Sequence, residues 1–147
     1  QNNTPLSNIK QISISPLNFF CALKFDGTVW CWGYATKLGA NVTLITWYPT
    51  AFQVQNLSGV KQITTGRFKG CALKNNGEAW CWQQSGASLH ESGPFDQITR
   101  YYNVTYGIGT NMTLIGGTTP NGLTGQYLQV SAGNSHACAL KSDKTGL

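Results

Sequence analysis

Residues 21–33 read CALKFDGTVWCWG and residues 71–83 read CALKNNGEAWCWQ. In each, a short run of strand-forming residues breaks at three turn residues ending in Gly and then resumes. The turns are Phe25-Asp26-Gly27 and Asn75-Asn76-Gly77. A three-residue loop with Gly in the left-handed conformation closes a type I turn with a bulge, so each segment predicts a β-hairpin. Lys24 then faces Thr28, and counting outward Leu23 faces Val29, Ala22 faces Trp30 and Cys21 faces Cys31. The second copy sets Cys71 opposite Cys81 in the same register. Directly opposed residues lie about 4.5 to 5.5 Å apart at Cα, within reach of a disulfide. The expectation is two hairpins, each closed by its own bridge, Cys21 to Cys31 and Cys71 to Cys81.

The Cys-Ala-Leu-Lys run returns at Cys138, so its copies are 50 and 67 residues apart. Asn-x-Thr-Leu-Ile occurs at Asn41 and again at Asn111. Taken together these predict units at about 4–33, 41–83 and 111–147, with an insertion at about 84–110. A period of this size belongs to propellers and solenoids. Residues 60–64 and 127–131 are short, alternating and β-branched, each followed by a Gly-containing bend, and read as the strand before the hairpin. Asn2 to Ile14 reads as the beginning of a unit.

The whole chain has 147 residues with ten Lys plus Arg against five Asp plus Glu, a formal charge of +5. Charged residues make up only 10%, against about 25% in an average soluble domain, which excludes a disordered polyelectrolyte. No run approaches the roughly eighteen uninterrupted apolar residues of a spanning helix, so membrane insertion is not expected. The N-terminus, QNNTPLSNIK, lacks the basic start and apolar run of a signal peptide, and the chain reads as a mature or excised piece. Its basic residues are scattered, with Lys61, Arg67, Lys69 and Lys74 the nearest approach to a cluster. That argues against a nucleic-acid partner, which needs basic charge gathered on one face.

Five cysteines leave one over. The ten-residue spacing would place a partner for Cys138 at or just past position 148. Three readings are open: the closing strand lies beyond Leu147, it comes from another molecule, or Cys138 is a free buried thiol. Five Asn-x-Ser/Thr acceptor patterns occur, at Asn2, Asn41, Asn56, Asn103 and Asn111, against about two expected by chance. With two hairpin-spaced cysteine pairs they predict an oxidising, secretory setting and an extracellular glycoprotein whose only attached groups are N-glycans.

The motifs CALKFDGTVWCWG, CALKNNGEAWCWQ and AGNSHACALKSDKTGL together resemble the core of the regulator-of-chromosome-condensation repeat, in its secreted, Cys/Trp-rich form. The resemblance covers about half of the chain directly. It implies an all-β fold of four-stranded antiparallel blades, here about two and a half to three of them, making an incomplete β-propeller. Similar sequences occur in receptor ectodomains and in an inhibitor of β-lactamase, which implies binding rather than catalysis.

No catalytic or metal-binding constellation stands against that. Asp26, Glu78 and Asp143 belong to hairpin turns or their flanks. His90-Glu91 begins a zinc pattern but lacks a second His, and Cys138 near His136 is explained by the repeat. The Trp pairs Trp30 with Trp32 and Trp80 with Trp82 each share a sheet face and are expected to pack between blades. Trp47, Tyr48, Tyr101, Tyr102 and Tyr106, less bound to the repeat, are the candidates for partner contact. The reading is a non-enzymatic structural protomer that joins its own copies head to tail into a fibre or ring. The alternative is a recognition module, of receptor-ectodomain or inhibitor type, for a protein or carbohydrate partner.

Overall fold

The computed structural model describes residues 5–34, 38–40, 46–101, 104–115, 125–133 and 136–143. They form thirteen β-strands in four antiparallel sheets. The first blade holds β1 (Ile9–Ile14), β2 (Phe19–Lys24), β3 (Val29–Tyr34) and β4 (Trp47–Gln53). The second holds β5 (Val60–Thr65), β6 (Gly70–Lys74), β7 (Ala79–Trp82) and β8 (Ala87–Glu91). Three strands make the third, β9 (Phe95–Tyr101), β10 (Val104–Gly109) and β11 (Leu114–Ile115). The fourth shows β12 (Tyr127–Ala132) and β13 (Ala137–Lys141). In every blade the strands pair in chain order, the up-and-down arrangement of propeller blades.

The predicted hairpins are present in the predicted register. Cys21 faces Cys31 and Ala22 faces Trp30, while Cys71 faces Cys81. At the tip, Lys24 N–H donates to the Thr28 carbonyl at 2.9 Å, and Gly27 N–H to the Lys24 carbonyl at 3.0 Å. Gly27 and Gly77 have φ of 78° and 86°, the conformation that a residue with a Cβ adopts only at a cost. Both disulfides are formed, with Cα separations of 4.1 and 4.0 Å. These fall short of the expected range because the cysteines occupy non-hydrogen-bonded positions, where opposed chains approach most closely.

The unit boundaries differ from those the sequence predicts. Strand β4, assigned to a second unit starting near residue 41, completes the first blade. The segment 84–110, expected as an insertion, carries β8, β9 and β10. It therefore belongs to blades two and three, and the third Cys-Ala-Leu-Lys sits in a fourth blade. Asn41 lies outside the described residues, and Asn111 occupies the turn between β10 and β11. There Gly109 N–H donates to Thr113 O at 2.9 Å and Met112 N–H to Gly109 O at 2.8 Å. This is the Lys24–Thr28 turn again, with Met112 at φ 63° in place of glycine. Asn111 corresponds to Asp26 and Asn76.

The apolar core lies in the joints between blades. Phe19, Cys21, Leu23 and Cys31 of the first blade pack against Ile63, Ala72, Trp82 and Ala87 of the second. Cys71, Leu73 and Cys81 pack on Phe95 and Ile98, and Ile108 on Tyr127, Val130 and Ala139. Each hairpin thus presents its Cys/Leu face forward and receives the preceding blade on its Ala/Trp face. Each first strand also shifts register by one residue near its start, between Ile9 and Gln11, Val60 and Gln62, and Tyr127 and Gln129, a bulge that adds twist.

Candidate functional site

The receiving face of the first blade has no blade on it among the described residues. It is made by β1, β2, β3 and β4, where cross-strand pairing brings Ile12 beside Ala22, Ile14 beside Phe20, Phe20 beside Trp32 and Tyr34 beside Trp47. The corresponding positions of the second blade, Ile63, Thr65, Ala72 and Trp82, are buried. On the first blade Ile12 is 59%, Ile14 65%, Trp47 48% and Tyr34 42% exposed.

The aromatic part of this face is built differently from its buried counterpart. In the second blade the Trp82 indole lies over Gly70, where a Cβ on that glycine would sit. Phe20 stands at the equivalent place in the first blade. Its ring stacks on Trp32 with centroids 5.7 Å apart and meets Trp47 edge-on at 6.1 Å. Three rings therefore form a raised cluster beside the two exposed isoleucines. A contiguous apolar face with Trp and Tyr at its centre is the usual composition of a protein contact, whose binding energy comes from large, rigid side chains leaving water. Two charged residues stand at the hairpin tip. There Lys24 and Asp26 approach to 3.5 Å, and the Thr28 hydroxyl and N–H hold the Asp26 carboxyl below its ordinary pKa.

Trp32, expected to pack between blades, lies instead in this cluster on the open face, and of the candidates named for partner contact only Trp47 joins it. Tyr48 turns to the opposite face, where its ring meets Phe52 edge-on at 5.4 Å and packs on the core. Tyr101 and Tyr106 are half-buried strand residues of the third blade, Tyr106 against the core shared with the fourth. Tyr102 lies outside the described residues, as do Asn2, Asn41 and Asn103. Asn56 and Asn111 are exposed. Cys138 is free and exposed, which removes the reading of a buried thiol. It faces Ser131 as Cys21 faces Ser13.

A groove of about 760 Å³ runs between β8 and the β10–β11 turn, lined by His90, Glu91, Pro94, Phe95, Asn111 and Ile115 among others. His90 contacts Thr105 at 3.4 Å, and Thr105 also accepts a hydrogen bond from buried Arg100. Burial, then the Arg100 charge, lowers the His90 pKa, and burial lowers that of Arg100. Among the described residues no three His, Cys, Asp or Glu side chains gather to hold a metal.

Ile12, Ile14, Phe20 and Tyr34 were not singled out by sequence reasoning. The signal that could have found the blades is Gln-Ile-Ser, Gln-Ile-Thr, Gln-Ile-Thr and Gln-Val-Ser, beginning at Gln11, Gln62, Gln97 and Gln129. One such triplet marks the first strand of every blade.

Comparison with known proteins agrees with this architecture. Residues 9–37 match the regulator of chromosome condensation (RCC1) repeat. No curated protein sequence matches the chain. Among solved structures, human WBSCR16 superimposes with a TM-score of 0.76 at 15% identity, over 92% of this chain and 46% of that one. Prp20p from Saccharomyces cerevisiae, reported with its binding properties to Gsp1p and histones, gives 0.75 at 12% identity, over 98% of this chain and 46% of its own. The ectodomain of the Arabidopsis thaliana receptor kinase ACR4 gives 0.65 at 20% identity, over 95% and 49%. The chain spans less than half the length of each.

Proposed function

Since the chain is an array of RCC1-type repeats with the fold of an incomplete β-propeller, we propose that it is a non-enzymatic, extracellular protein-contact module that works through the open face of its first blade. The observation that carries the reading is the exposure of Ile12, Ile14, Tyr34 and Trp47 around the Phe20–Trp32 stack. Prp20p and the ACR4 ectodomain, both similar in fold, support a binding role and an extracellular setting respectively. The Cys21–Cys31 and Cys71–Cys81 bridges support an oxidising compartment. In that compartment the protein carries N-glycans at its acceptor asparagines and needs no other attached group. Head-to-tail joining of copies into a ring or fibre is one form of contact that this face permits.

A photo-crosslinking residue placed at Trp47 or Ile14 tests the reading in the extracellular fluid of the source. Protein adducts are expected from both positions and not from the same residue placed at Asp26. No protein adduct at Trp47 and Ile14, or equal capture from Asp26, would remove this function.

A further inference from the structure

Arg100 carries a charge that the protein does not neutralise. It stands on β9 opposite Thr105 of β10 and is 3% exposed. The chain's five acids are all among the described residues, and Arg100 forms an ion pair with none of them. Its Nη1 donates to the Thr105 hydroxyl, while its Nε is buried with no partner among the described residues. A guanidinium keeps its proton inside a protein, and an unpaired buried charge is costly until an opposite charge comes near.

The Thr105 bond hands a direction to a third residue. Because the Thr105 oxygen accepts from Arg100, its own hydrogen is free to point at His90 Nε2, 3.4 Å away. A neutral imidazole that accepts at Nε2 carries its hydrogen on Nδ1. The ring thus keeps a donor on the side turned away from blade three. His90 is exposed on β8, where it lines a second, smaller pocket together with Lys69, Ser85 and Ser88. Lys69 lies in the turn before β6, closed by Gly66 N–H donating to Lys69 O at 2.9 Å, and has no ion pair among the described residues. The hydroxyl residues Ser85 and Ser88 are exposed. Around His90 the charges of Arg100 and Lys69 stand against that of Glu91, which lines the wider groove. The pocket has a volume of about 150 Å³, room for about five waters at about 30 Å³ each.

We propose that the pocket between Lys69 and His90 binds a tetrahedral oxyanion, the sulfate or phosphate group of an ester. The Lys69 ammonium, the His90 Nδ1–H and the Ser85 and Ser88 hydroxyls all donate, and they do so around a space the size of one such group. An ester of this kind presents three free oxygens to those donors, where a carboxylate presents two. Charge-assisted bonds from the ammonium supply the strongest contact. Arg100 is a positioning residue: it fixes Thr105, and through Thr105 the hydrogen of His90, and its buried charge favours an anion beside it. The pocket shares no residue with the open face of the first blade and stands independently of the contact proposed there.

Nitrogen-15 NMR of the histidine rings tests this in the full chain, titrated near neutral pH with sodium sulfate, sodium phosphate and sodium acetate at one ionic strength held by sodium chloride. A saturable shift of His90 Nδ1 is expected with sulfate and phosphate and a much weaker response with acetate. The tighter of the two tetrahedral anions identifies the ester. Lys69→Ala should weaken binding by about ten-fold, the loss of one charged hydrogen bond. Thr105→Val should weaken it too and move the hydrogen of His90 toward Nε2, read from the ring nitrogen shifts, and Thr105→Ser should restore both. Where circular dichroism shows that Thr105→Val disturbs the buried joint, Lys69→Ala at its partly exposed position decides. No saturable shift with sulfate or phosphate, an equal response to acetate, or binding indifferent to Lys69→Ala overturns the proposal.

Discussion

Trp82 covers Gly70, its indole lying where any side chain on that residue would begin. Trp82 is itself among the most deeply buried side chains of the first joint. Gly70→Ala must displace a large ring from a close-packed site, and overpacking of this kind costs about 2 to 3 kcal/mol. Chemical denaturation should show that loss. Phe20→Ala, at the equivalent but uncovered position, should cost less.

Reduction, or replacement of Cys21 and Cys31 together by Ala, releases a ten-residue loop in the unfolded chain. The expected loss of stability is about 2 to 3 kcal/mol, an upper figure because the hairpin is already local. Non-reducing peptide mapping should recover Cys21 with Cys31 and Cys71 with Cys81.

His90 gives the second joint of the array a dependence on pH. Burial and the Arg100 charge depress its pKa in the folded chain, so below the ordinary value of about 6.5 the unfolded chain binds the extra proton more readily. The stabilising contribution is present above about pH 6.5 and declines as pH falls below it. Thermal unfolding between pH 7.5 and 5.5 should show the decline, and His90→Gln should flatten it.

Asn111 is bonded to the hydroxyl residue of its own acceptor pattern. Its Oδ1 accepts from the Thr113 hydroxyl at 2.6 Å and from the Thr113 N–H at 3.3 Å, leaving Nδ2 at the tip of an exposed turn. Asn56 has φ 59°, with its Nδ2 3.1 Å from a Cβ built on Gly86. Glycopeptide analysis of protein passed through a eukaryotic secretory pathway should find Asn111 more fully occupied than Asn56. Thr113→Ala should leave Asn111 bare.

The first two hairpins were legible because their turn chemistry is explicit: Asp26-Gly27 and Asn76-Gly77 fix the loop, and the loop fixes which cysteines meet. The third blade escaped because each of its markers is replaced. Tyr106 stands at the cysteine position and Met112 at the glycine position, and the Asn111–Thr113 bonds take over the turn. The glutamines that begin the four triplets, moreover, fall 51, 35 and 32 residues apart, since connections between outer strands vary while the first strands keep six or seven residues. The open face of the first blade was illegible for another reason. Ile12 and Ile14 read as ordinary strand residues, and only the packing of the later blades shows that their counterparts are covered.

The placement of the two disulfides has a mechanical meaning. Each joins β2 to β3, or β6 to β7, across the base of a hairpin, so tension applied along the chain passes through sulfur and bypasses the turn. The ten-residue separation in each bridge removes roughly 35 Å of extensible length per hairpin. When the array is pulled from its ends, the first two blades should lengthen by correspondingly shorter steps than their residue counts give. Addition of reductant should restore the missing length.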